Sequence, residues 1–176
     1  MLRNSVEYKR FVWELRNVIN LKRKNENIVF LCIGTNMLVG DAFGPVVGSI
    51  LKKCFSKNNE VKIIGDLENV ITYSNIKEKF KSEDYKNHLI VVIDSALSTK
   101  SNIGKVFIQN RGLKYAESLK KNNKLIGDIS IKAVVGENSN DSFINFNNLQ
   151  NVSLERIHDM CNIVSNGIIE VVNKKW

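Results

Sequence analysis

The stretch IVFLCIGTNMLVGDAFGPVVG, Ile28 to Gly48, decides the fold class. Six apolar residues, Ile28, Val29, Phe30, Leu31, Cys32 and Ile33, run unbroken into Gly34. A short apolar run closed by Gly, without polar alternation, is the pattern of a strand buried on both faces, as in a parallel sheet. A polar loop follows, Gly40-Asp41 ends it, and Gly44-Pro45 opens a helical pattern. Pro suits a helix start because the N–H it lacks would have had no intrahelical partner there. The unit is therefore strand, loop, helix, with an Asp in the loop. In open α/β sheets such loops lie at the carboxyl ends of strands, where ligands bind.

Moving outward, Leu89-Ile90-Val91-Val92-Ile93-Asp94 is a second run of this kind and again passes straight into an Asp. Val61 to Gly65, Gly104 to Gln109 and Ile129 to Val135 supply three more strand patterns. Val6 to Lys24 reads as a basic amphipathic helix, apolar at Val6, Phe11, Trp13, Leu15, Val18 and Ile19, with Ser5 able to cap it. Helical patterns recur over Val46 to Phe55, Ile71 to Phe80 and Leu113 to Lys121. The Asn-rich segment Asn138 to Asn148 is expected to be a loop, and Leu149 to Asn173 one long closing helix. Strands alternating with helices predict a three-layer α/β/α sandwich. With one proline and no Ser/Gly-rich linker or repeat, residues 1–176 are expected to form a single domain.

Composition narrows the function classes. A chain of 176 residues that is 43% hydrophobic can bury a core without staples. Its three cysteines, Cys32, Cys54 and Cys161, form no CxxC pair and leave one over, which argues against a disulfide framework or a Cys-rich zinc site. All three are expected to act as small buried hydrophobes. No apolar stretch approaches the ~20 residues of a membrane span. The first residues scatter charges through their apolar positions, unlike a signal peptide, so a cytoplasmic location is expected. The net charge of +8 is spread along the chain without a dense, aromatic-interleaved patch. It reads as a solvated surface and argues against a nucleic-acid partner.

The loop after the first strand is no phosphate loop. Five residues separate Gly34 from Gly40 where a Walker A loop has four, and Asp41 stands where Lys is needed. No GxGxxG is present. The two histidines, His88 and His158, sit in no GxSxG or HExxH context. What remains is a pair of carboxylates, Asp41 and Asp94, each following a buried strand. Close together, they can share a proton, one serving as base on water and the other as acid, or they can hold a divalent metal. Equally, Asp41 can cap the helix near Pro45 and Asp94 can close an Asx-turn, and both readings stay open. Asp66, Glu68 and Asp128 are weaker companions at loop positions.

The run CIGTNMLVGDAFGPVVGSIL, followed by VVIDSALSTKSNIGKVFI and GDISIKAVVGENS, resembles the YyaC family of sporulation proteins, described as spore proteases. That family is similar in fold to the spore germination protease and to hydrogenase-maturation endopeptidases. The resemblance implies a phosphorylase/hydrolase-like α/β/α fold of the hydrogenase-maturation-protease kind. It also implies that Asp41 and Asp94 stand where those proteases carry two acidic residues, used as an aspartate pair or as metal or substrate ligands. Asn36 departs from the pattern, replacing the usual Asp after Gly-Thr.

The expectation is thus a sporulation-associated endopeptidase acting on a peptide or protein substrate in the cytoplasm of the sporulating cell or forespore. Asp41 and Asp94 would activate water. Gly34, Thr35, Asn36, Gly40 and Asp128 would shape the substrate loop, with N–H groups of Gly34, Thr35 and Gly40 offered to the oxyanion. No cofactor is expected, a divalent metal at the Asp pair being the alternative. A homo-oligomer is left open. The rival reading is a non-catalytic binding or scaffold protein that keeps the fold, since fold alone does not carry function.

Overall fold

Among the described residues five strands form one sheet, in the spatial order Val61–Ile64, Asn27–Cys32, His88–Ser98, Ile129–Glu137 and Val106–Gln109. The computed structural model describes residues 5–22, 27–114 and 125–174. The strands are β1 (Asn27–Cys32), β2 (Val61–Ile64), β3 (His88–Ser98), β4 (Val106–Gln109) and β7 (Ile129–Glu137), while β5 (Leu113–Lys114) and β6 (Leu125–Ile126) make a separate antiparallel pair. Within the five-stranded sheet β1 pairs in parallel with β2 and β3, β3 pairs in parallel with β7, and β4 runs antiparallel along β7. The apolar runs that lack alternation are these central parallel strands, which have helices or loops against both faces.

Helices α1 (Val6–Lys22), α2 (Phe43–Cys54) and α5 (Leu154–Asn173) cover one face, over Phe30, Cys32, Val91, Ile93, Ile129 and Ile131. The other face is covered more thinly. Val29, Leu31, Ile33, Ile90 and Val92 pack there against Ile71, Leu113 and Phe80 around the one-turn helix α3 (Ile76–Lys79). Each large side chain so buried contributes roughly 1.5–3 kcal/mol. The result is the expected α/β sandwich with a parallel-dominated sheet, its two helical layers unequal.

Several local expectations change. In α1 the inward residues are Tyr8, Phe11, Val12, Leu15 and Ile19, whereas Val6 and Trp13 face outward at 77% and 67% exposure. The stripe at i, i+3, i+4, i+7 and i+11 includes Tyr8, whose hydroxyl donates to Glu170 on α5. The Ser5 hydroxyl accepts from the Tyr8 N–H, so the expected cap is present. The end of the expected helix at residues 23–24 and most of that over Leu113 to Lys121 lie outside the described residues, and Leu113–Lys114 is strand. Cys32 and Cys161 are buried, their thiols pushed up by burial, but Cys54 is exposed.

The Asn-rich segment is a helix, α4 (Ser142–Gln150). Its polar side chains build the helix start instead of a loop. Asp141 accepts from the N–H groups of Phe143 and Ile144, while Asn145 exchanges hydrogen bonds with the Ser139 backbone. Accordingly the closing helix is two helices. A break at residues 151–153 ends α4, and Ser153 caps α5.

Candidate active site

The site is built where β1 ends. Ile33 is still tied to the sheet, its N–H donating to the Ile93 carbonyl and the Gly34 N–H to the Ile71 carbonyl. Gly34 then adopts φ +144°, and a Cβ on it would collide with the Asp41 backbone carbonyl and the Pro45 ring. Only glycine lets the loop fold back this tightly. The return brings Asp41, in a single 3-10 turn over Gly40–Ala42, beside Thr35. Gly40 is buried against Leu149 and Val152 at the junction of α4 and α5, which fixes the turn from outside.

Asp41 caps no helix: α2 starts at Phe43 with no side-chain cap. Its Oδ2 accepts from the Thr35 N–H at 2.8 Å and its Oδ1 from the Ser95 hydroxyl at 3.2 Å. Burial raises its proton affinity, and these two donors oppose the rise.

Asp94 lies inside β3 and not at its end, because the strand runs on to Ser98. The neighbouring β1 stops at the Cys32–Ile93 pair, so Asp94 occupies the carboxyl edge of β1 while still paired with Lys132 on β7. The side chain is 5% exposed and accepts a hydrogen bond from the Tyr73 hydroxyl at 2.5 Å. Burial pushes its carboxyl up to about 7, helped by the charge of Asp41; Tyr73, the Ser95 N–H and Lys132 pull the other way. The Tyr73 hydroxyl is itself pushed up by burial and by Asp94. Ser95 therefore serves both acids, its N–H favouring the Asp94 carboxylate and its hydroxyl donating to Asp41.

The other sequence candidates divide. Thr35 holds Asp41 and, through Oγ1, the Met37 N–H. Asn36 donates to the Leu67 carbonyl and pins the loop to the one that follows β2. The expectation that Gly34 and Thr35 offer N–H groups to an oxyanion fails, because Ile71 and Asp41 already accept them. Asp128 belongs to the opposite end of the sheet. β7 begins opposite Val91, so the Ile90 N–H has no ladder partner there, and Asp128 Oδ2 accepts it at 2.9 Å. Four residues along an extended strand separate Ile90 from Asp94, about 13 Å.

Asp66 is buried in an ion pair with Lys52 at 2.6 Å and also accepts from Glu68 and Asn69 N–H groups. Burial alone would raise it, but these donors hold it below the usual carboxylate range. It is a loop brace. Neither His88, at the start of β3, nor His158, exposed on α5, has a hydrogen bond to either acid.

Tyr73 and Ser95 were not singled out from the sequence. Ser95 carried a signal, since it directly follows Asp94 and strand alternation sends it to the opposite face. Tyr73 carried none, because only the tertiary fold brings its loop over Asp94. Among the described residues no three His, Cys, Asp or Glu side chains converge. Two carboxylates already engaged by hydroxyl and amide donors fall short of the three protein ligands of a catalytic transition-metal site.

Comparison with known proteins gives a consistent picture. The chain is 27% identical over 157 residues to "Uncharacterized protein YyaC" of Bacillus subtilis (strain 168), covering 88% of this chain and 74% of that protein. The crystal structure of the [NiFe] hydrogenase maturation protease HycI from Thermococcus kodakarensis KOD1 is similar, with TM-score 0.58 and 19% identity over 91% of this chain and 99% of that one. The maturation protease HybD from Thermococcus kodakarensis has TM-score 0.47 and 15% identity over 84% and 97%. The likeness to HycI establishes a shared fold. No described helix is long and apolar enough to cross a membrane. Residues 2–167 match the family described as "Protein of unknown function (DUF1256)", and the chain belongs to that family.

Proposed function

We propose that the protein is an endopeptidase in which Asp41 and Asp94, one as carboxylate and the other protonated, activate water on a peptide carbonyl. The observation that carries this reading is Asp94, buried, raised to about 7 and sensing the charge of Asp41. Two acids whose environments separate their proton affinities divide naturally into acid and base. Asp41, held by N–H and hydroxyl donors, is the carboxylate that takes a proton from water as the water oxygen attacks the carbonyl carbon. Asp94 gives its proton to the carbonyl oxygen. Collapse of the tetrahedral intermediate breaks the C–N bond: one hydroxyl proton returns to Asp94 as the carbonyl re-forms, and the proton held on Asp41 passes to the departing amine.

The fold shared with HycI supports a protein substrate. A role in sporulation, in the cytoplasm of the sporulating cell or forespore, rests on the sequence resemblance and on the Bacillus source of the matched relative. The second reading, a non-catalytic binding protein, is favoured by one observation: each acid already has its own donors, Thr35 and Ser95 for Asp41 and Tyr73 for Asp94.

The test compares the wild-type chain with Asp41→Asn and Asp94→Asn on denatured soluble proteins from sporulating Bacillus subtilis, reading newly formed amino termini by mass spectrometry. The hydrolase reading expects new termini whose rate of formation falls by roughly 100-fold or more in each variant. Equal rates in all three chains would sink the aspartate mechanism, and no new termini from any chain would favour the binding protein.

A further inference from the structure

Beside Asp94 the sheet continues into β7 and β4, on the thinly covered face. Lys132 is the β7 partner of Asp94 and also the partner of Phe107 on β4. Side chains of laterally paired residues leave a sheet on the same side, so Asp94, Lys132 and Phe107 form a row across three strands. Ser130 and Gln109, two positions away on β7 and β4, share that side, and their side chains hydrogen-bond to each other. Lys105 stands two positions before Phe107. Its carbonyl accepts the Val134 N–H, which extends the ladder by one residue and sets Lys105 on the Phe107 side by alternation.

This row is unlike an ordinary interior. Phe107 is 38% exposed, Lys105 is exposed and Lys132 half-buried. Neither lysine has an ion pair or a hydrogen-bond acceptor for its ammonium group among the described residues. Lys132 feels the Asp94 carboxyl across the strand pair but makes no ion pair with it, so its ammonium group stays open to a further anion. The two cations flank an aromatic ring and outnumber the one acid beside them, Asp94, so the row carries net positive charge.

We propose that the row Lys105, Phe107 and Lys132 is a substrate subsite that takes an acidic segment of polypeptide, its carboxylates held by the two lysines and an apolar side chain resting on Phe107. The inference rests on the hydrolase reading only for calling the occupant a substrate; the binding preference stands without it. An extended peptide on this face lies alongside β4, the edge strand of the sheet, and alternation of its side chains presents every second one to the row. The net charge of +8 works in the same direction, steering acidic partners toward the protein.

The probe is an acetylated, amidated peptide Asp-Ser-Phe-Ser-Asp-Ser, which sets two aspartates and the phenylalanine between them on one side of an extended chain, titrated into the isotope-labelled full chain and followed by amide and lysine side-chain NMR. Its asparagine counterpart is the control. The expected result is shifts at Phe107, Lys132 and their strand neighbours, with the acidic peptide bound about ten-fold or more tighter than the neutral one. The preference should vanish in the Lys105→Gln, Lys132→Gln double variant and fall steeply with added salt. Equal binding of the two peptides, shifts confined to another surface, or no shifts with either peptide would overturn the proposal, and none of these results needs the variant to fold. Asp41→Asn and Asp94→Asn separate the two readings. They should bind the acidic peptide at least as well as wild type, because neither change adds negative charge or touches Lys105, Phe107 or Lys132, whatever they do to cleavage. Binding that persists while both variants still cleave would leave this subsite standing and remove the aspartate mechanism.

Discussion

The Tyr73 hydroxyl donates to Asp94 Oδ2 at 2.5 Å across 21 residues of chain. This bond favours the charged form of Asp94 against the burial that disfavours it. Tyr73→Phe keeps the ring and deletes the donor, so Asp94 should hold its proton to higher pH. Carboxyl-carbon NMR titration of the two proteins reads this directly. In the proposed hydrolase the alkaline limb of the pH–rate profile, set by loss of the Asp94 proton, should move up with it. An unchanged Asp94 titration would remove Tyr73 from the site.

Asp94 should also make stability depend on pH. Its carboxyl titrates near 7 in the fold against an ordinary value of 3.8, so the folded protein binds this proton more tightly than the unfolded chain. The stabilisation tied to that proton is fully present below about 4 and is lost as pH rises through about 7. Asp94→Asn is exempt from this loss. Stabilities from urea unfolding should show the variant gaining on wild type from about pH 4 to about pH 7 and levelling off above that, by up to roughly 4 kcal/mol. A gap that stays constant with pH would mean that Asp94 is not held protonated.

Gly34→Ala should be among the most damaging single-methyl changes in the chain. The added carbon meets backbone of Asp41 and the Pro45 ring, and φ +144° disfavours any L side chain. A loss of roughly 3 kcal/mol is expected from chemical denaturation. Because the strain falls on the loop that carries Asp41, any hydrolysis should drop beyond what the unfolded fraction explains. A variant with wild-type stability would show that the loop has room to open.

Asp128→Ala tests a residue whose loop position suggested the site but whose contact is structural. It leaves the Ile90 N–H unpaired at the start of β3, at an expected cost of about 1–3 kcal/mol. Activity per folded molecule and acidic-peptide binding should be unchanged. A selective loss of either, with stability intact, would return Asp128 to the functional site.

The parts of the fold legible in the sequence were those governed by local pattern. Ile28 to Ile33 and Leu89 to Ile93 could only be strands covered on both faces, and Ser5 announced the first helix by a cap that its hydroxyl makes. Patterns failed where polar residues answer to partners outside the local window. The asparagines around Asn145 suggested a loop because Asn disfavours helix interiors, yet here they cap and brace α4. Asp94 resembled the end of a strand because an acid seldom sits inside one, although the strand continues to Ser98.

By itself the sequence determined the strand–loop–helix unit around Gly34 and Asp41, the α/β class and the two candidate acids, since hydrophobic period and glycine placement are properties of neighbours along the chain. Only the tertiary structure decided that Ser95 ties Asp41 to the strand of Asp94, that Tyr73 covers Asp94, and that Asp128 stands at the far end. Strand order and register set these relations. They arise from pairing β1, β3 and β7 side by side, and no spacing along the sequence encodes which residues that pairing makes neighbours.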